Sequence, residues 1–170
     1  MALSDSNYYG RVLKALFERL QSEVPELLWI AEDIGQLDET ELRPSVSFPC
    51  ALIDFPNSTY TSDSGSIRTG DVTISVRLAF DPYANAYEGA PNYSLDKSLE
   101  RFEIEHKVVS ALHDYGVEDL FSELQCVQQA SDKRNDGMRV RSLTLTTSYK
   151  DQVPELNIVK GASLKVKIRT

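Results

Sequence analysis

Gly70–Asp81 reads GDVTISVRLAFD, and this stretch decides the fold. Val72, Ile74, Val76, Leu78 and Phe80 share one parity, while Thr73, Ser75, Arg77 and Ala79 share the other. That is the period-two alternation of a strand with one buried face. Two stretches of similar character flank it: Val46–Phe55 (VSFPCALIDF) before and Arg139–Tyr149 (RVRSLTLTTSY) after. Together they predict one sheet with helices on its apolar face. Phe48–Phe55 is apolar on both parities, as in a strand buried on two sides. Pro49 lacks a ladder donor and belongs at that strand's start.

Working outward, Ser6 or Asn7 can cap a first helix whose stripe is Tyr9, Val12, Leu13, Leu16, Phe17, Leu20 and Val24, closed by Pro25. Leu27–Leu37 is ambiguous between a helix and a short strand with Trp29 on an outer or edge face, the strand being preferred, and Asp38–Pro44 reads as a connector. Pro56–Thr69 is too long for a tight turn and too polar for core. It is either a loop or, where its flanking strands pair antiparallel, a long hairpin arm projecting from the sheet edge, with Tyr60 and Ile67 forming a little strand at its base. A second long connection, residues 81–96, carries Tyr83, Tyr87 and Tyr93. These rings either offer contact area to a partner or lie on the domain's own surface.

A second helix is predicted over Ser94–Tyr115, with Leu95, Leu99, Phe102, His106, Val109 and Leu112 on its stripe and Gly116 ending it. A helical turn around Val117–Leu124 and a strand over Gln125–Asp132 follow. Asp136-Gly137 then signals a hairpin. A two-residue turn there would set Asp132 opposite Arg141, which is favourable, and Arg134 opposite Arg139, which is not, so the register stays open. In segment 157–170, Leu164, Val166 and Ile168 alternate with Lys165, Lys167 and Arg169. This is a last strand with a basic, edge-guarding face or an arm that orders against a partner.

The chain of 170 residues fits a single domain, 1–170, with a core that needs no disulfide or metal. Cys50 and Cys126, both in strand segments, read as free thiols of a reducing compartment. A formal charge of -8 and a pI near 4.8 weigh against broad nucleic-acid binding, and no sequence-specific nucleic-acid partner is expected. The N-terminus has no secretory pattern and no apolar run is long enough to cross a membrane, which leads to the expectation of a soluble protein that stays in the cytoplasm where it is made.

Chemistry is sparse. The sequence contains no P-loop, GxGxxG, GxSxG or HExxH pattern. Glu103 and His106 form one Glu-x-x-His, where helical carboxylate metal sites need two. His106 on the apolar stripe is therefore expected to be a core histidine, and His113 has no nucleophile beside it. No catalytic, cofactor or metal residues are assigned. The rival reading is a ligand-binding domain or enzyme with a pocket near His106.

The order of elements resembles the tail terminator and tail-completion (minor tail) proteins of long-tailed bacteriophages and prophages. The resemblance is carried by Gly35-Gln36-Leu37, Arg43-Pro44-Ser45-Val46, Phe48–Asp54, Gly70–Asp81, Ala111-Leu112 and Ser148-Tyr149-Lys150-Asp151, and it stops short of Ile158. It implies an α+β fold: a single, mostly antiparallel, twisted β-sheet with two main α-helices packed on one face. It also implies a structural, non-enzymatic virion protein, a homo-oligomeric, hexameric ring that caps the tail tube and meets the tube protein and head–tail connector proteins. Another head–tail connector or a baseplate component is the nearest alternative. Within that reading, Tyr60, Ile67, Arg68, Tyr83, Tyr87, Tyr93, Lys165, Lys167 and Arg169 are the expected interface residues.

Overall fold

A computed structural model describes residues 8–38, 46–64, 67–81 and 95–152. The elements run α1 (Tyr8–Glu23), β1 (Trp29–Glu32), β2 (Cys50–Ser64), β3 (Ile67–Phe80), α2 (Leu95–Leu112), β4 (Gln125–Lys133) and β5 (Arg139–Gln152). The strands form one five-stranded sheet in the order β1-β2-β3-β5-β4, antiparallel except for the β1–β2 pair. The fold is the expected α+β arrangement.

The GDVTISVRLAFD stretch is the middle strand. Val72, Ile74, Val76, Leu78 and Phe80 are buried with Ala51 and Ile53 of β2, Leu143 and Leu145 of β5, and the inner faces of both helices. On α1 this inner face is Val12, Leu16 and Leu20, with Val24 just beyond; of the rest of the expected stripe, Leu13 and Phe17 are partly buried at its margin and Tyr9 is exposed. The two helices are tied at one end, where Arg19 Nε donates to the Ala111 carbonyl at 3.0 Å and its guanidinium lies 5.0 Å from the Tyr115 ring centroid. Lys107 and Glu26 form an ion pair beside them.

The opposite face of the sheet carries a smaller core. Cys50, Leu52, Ala79 and Val140 are covered there by Leu37 and Met138, so β2 is buried on both sides over Cys50–Ile53, while from Asp54 to Ser62 it is exposed or half-buried. Pro49 sits just before β2 and its carbonyl accepts from the Leu28 amide at 2.9 Å. Burial pushes the Cys50 thiol up to about 11; neither cysteine is in a disulfide. Leu37 is delivered by a tight turn in which Gly35 has φ +83°, and the buried Gln36 side chain donates to the Glu32 carbonyl at 2.8 Å while accepting from the Ile34 amide at 2.7 Å.

Several local expectations are corrected. Segment 56–69 is not a loop, since β2 runs to Ser64 and pairs with β3 out to Ser64↔Ile67. It is the hairpin arm, and β5 accompanies β3 along its length as far as Ile67↔Gln152. The inner face of α2 is Ile104, Val108, Ala111 and Leu112, whereas Leu99 and Phe102 stay 47% and 44% exposed and His106 is exposed. His106 is thus not a core histidine. The helix ends at Leu112, and Asp114, at φ 60°, makes the left-handed turn assigned to Gly116. Gly116 serves close approach instead, because a Cβ there would lie 3.1 Å from the Glu123 backbone nitrogen. Val117–Leu124 is a tight turn closed by a Val117↔Phe121 bridge, not a helical one.

The β4–β5 hairpin pairs Lys133 with Arg139, Asp132 with Val140 and Ser131 with Arg141, so neither pairing considered from the sequence forms. Arg134 leaves the ladder because its guanidinium is claimed by Asp136 and by the Leu37 carbonyl, while Asp136 also accepts from the Met138 amide. The loop is five residues long, from Arg134 to Met138.

Candidate functional site

Of the expected interface residues, Tyr60 and Arg68 lie at the far end of the hairpin arm and belong to an intramolecular cluster. The Tyr149 hydroxyl donates to the Tyr60 hydroxyl at 2.8 Å, the Tyr60 and Tyr9 hydroxyls are 2.9 Å apart, and Tyr9 donates to Ser58 at 2.6 Å. Tyr149 stacks on Tyr8 with ring centroids 3.4 Å apart, and the Arg68 guanidinium lies 4.0 Å from the Tyr60 ring centroid. Tyr60 keeps 39% of its surface exposed, so its outer edge is still available to a neighbour. Ile67 opens β3 by backbone pairing. Tyr83, Tyr87, Tyr93, Lys165, Lys167 and Arg169, with segment 157–170, lie outside the described residues.

The two histidines are not brought together as a site. His113 accepts from the Cys126 amide at 3.1 Å through Nδ1, fastening the end of α2 to the start of β4. His106 stands on the side of α2 away from Ile104 and Val108, which fill the space against the sheet. Among the described residues no group of three or more His, Cys, Asp or Glu side chains is placed to hold a metal ion. None of the helices there is long and apolar enough to cross a membrane.

On the sheet face away from the helices, Arg77 anchors an ion-pair network missed by the sequence reading. Its Nη1 reaches Asp33 at 3.1 Å and Asp38 at 2.9 Å, and Asp38 also pairs with Arg134. Arg77 and Asp33 side chains are only 17% and 10% exposed. The network locks the 33–38 turn over the smaller core and joins it to the β4–β5 hairpin. Arg77, seconded by Arg134, holds the Asp38 carboxyl at about 2, below its usual 3.8. A depressed carboxyl stabilises the fold above its unfolded pKa and loses that contribution as pH falls through the folded one. Acid titration should therefore remove about 1 kcal/mol between roughly pH 4 and pH 2, after allowance for screening of this half-exposed group. Asp38→Asn should flatten that part of the stability–pH curve; an unchanged curve would exclude the network as its source.

The flank formed by α2 and β4 is the other distinctive surface. Among the described residues no strand pairs with the outer edge of β4. Leu99 and Phe102 are exposed on α2, and Val127 is 58% exposed at a bulge in β4. Between helix and edge strand lies an open cleft of about 490 Å³ lined by five basic and two acidic side chains. Arg141 Nε donates to Glu105 at 3.1 Å, and Arg101 lies over the Phe102 ring with its guanidinium carbon 4.5 Å from the centroid. Burial, then Arg139 and Arg141, hold the Arg101 guanidinium below the usual arginine range. The sequence signal for this cleft was the basic pair on one parity of RVR at Arg139–Arg141, considered there only for hairpin register.

No family model and no curated protein matches the sequence. Solved structures do match, among them a chain of the "Virion of native gene transfer agent (GTA) particle". The similarity has a TM-score of 0.49 at 11% identity and covers 85% of this chain and 98% of that one. It is a likeness of overall shape and bears on no residue of the sites above.

Proposed function

We propose that the protein is a structural component of a phage-like virion that acts by packing against copies of itself and other virion proteins, as a ring piece completing the tail tube. The observation that carries this reading is the α2–β4 flank, where exposed apolar side chains accompany a nine-residue strand whose outer backbone edge has no partner among the described residues. An unpaired edge can accept a neighbour's strand through backbone hydrogen bonds. Contacts between unlike surfaces of successive copies generate a ring when the rotation closes. The order helix, strand, long hairpin, helix, hairpin also agrees with the family that the sequence resembles.

Light scattering of the purified full chain, alone and with its tube protein, tests the proposal. The expected result is a concentration-dependent oligomer, or a stable complex with the tube. A monomer under both conditions at high concentration overturns it.

A further inference from the structure

The geometry points to a contact in which the basic cleft between α2 and β4 receives the acidic turn Asp114–Glu123 of a second copy of this chain. This rests on the assembly reading above and names the surfaces that would meet.

The cleft is poorly neutralised from within. Lys133 and Arg139 are directly opposite each other across the β4–β5 ladder, a like-charge pairing that is unfavourable unless an anion lies between or beside them. Arg101 Nη1 is buried and has no hydrogen-bond partner. A buried guanidinium N–H without an acceptor carries a desolvation cost, which a neighbour's carboxylate would remove once the Arg101 side chain turns outward to meet it. Of the two carboxylates that line the cleft, Glu105 is engaged by Arg141 and Asp132 lies 3.8 Å from Arg77, so neither is left for Arg101, Lys133 or Arg139.

The complementary surface is at the other end of α2. Asp114, Glu118, Asp119 and Glu123 are exposed around an open groove whose lining includes one basic residue, Lys150. From position 101 to position 114 a helix and its first turn rise roughly 20 Å, more than twice the Debye length of about 8 Å at physiological ionic strength. The two patches therefore do not neutralise each other within one subunit. A neighbour can bring them together, with Arg101, Arg139 and Lys133 facing carboxylates of the turn.

The test uses two full-length variants. Lys133→Gln/Arg139→Gln neutralises the cleft, and Glu118→Gln/Asp119→Asn neutralises the turn. Sedimentation velocity should show wild type assembling, each variant alone weakened more than about tenfold in self-association, and an equimolar mixture giving a discrete heterodimer, since only one competent contact remains. Thermal melts of the separate variants report whether each is folded. If wild type assembles and the folded variants assemble equally well, or the mixture forms no heterodimer, this contact is wrong while the assembly reading survives. A wild type that stays monomeric at every concentration overturns both.

Discussion

Tyr149→Ala is expected to lower the unfolding free energy by about 3–5 kcal/mol, the range for truncating a large buried aromatic side chain. Tyr149 is 4% exposed, stacked on Tyr8, and hydrogen-bonded to Tyr60, so its removal empties the junction between α1 and the far end of the sheet. Gly70 lies directly beneath it, and a Cβ at that position would come within 2.6 Å of Tyr149 Cε1. Gly70→Ala should accordingly cost about 1–3 kcal/mol in the wild-type background, because the stacked ring has little room to retreat. In the Tyr149→Ala background the same change should cost less, since the two closest contacts are gone and Tyr60 Cε1, 3.0 Å from the Cβ position, has only a little to yield. Urea denaturation of the four proteins closes the cycle. Equal costs in both backgrounds would mean that Gly70 is needed for some reason other than this ring.

Arg77→Ala should cost about 3–5 kcal/mol, the scale for breaking a buried ion pair by removing one partner. The loss comes mainly from stranding Asp33, whose side chain is 10% exposed, and from releasing the 33–38 turn from the smaller core. Arg77→Lys should recover part of it, since an ammonium keeps the charge but cannot span Asp33 and Asp38 with a planar fork. Adding Asp33→Asn to Arg77→Ala should recover more, because the stranded charge is then absent. A cost under about 1 kcal/mol for Arg77→Ala would place this network with ordinary surface pairs.

The sheet was legible because alternation in Gly70–Asp81 and the two-sided apolar run in Cys50–Ile53 leave few other solutions. Segment 56–64 was harder, since Ser, Thr and Asn on both faces give no period. What holds it is backbone pairing with β3, itself flanked by β5, and side-chain polarity carries no record of that. The rotation of α2 misled for a different reason. Leu99, Phe102 and His106 make the more regular stripe, but Ile104 and Val108 are the residues turned inward, accompanied by Glu105, whose carboxylate is nearly buried through its pair with Arg141. A charged residue on an inner face hides that face from hydropathy. The basic cleft was missed for a related reason: Arg101 is far in sequence from the hairpin pair Lys133 and Arg139 and meets them only when helix and hairpin are placed on one sheet.

The bulge between Cys126 and Gln128 gives the outer edge of β4 a safeguard. An interrupted ladder twists the outer rim of the sheet, so identical chains cannot stack on it in endless flat register. Fibre growth along that rim is thereby disfavoured.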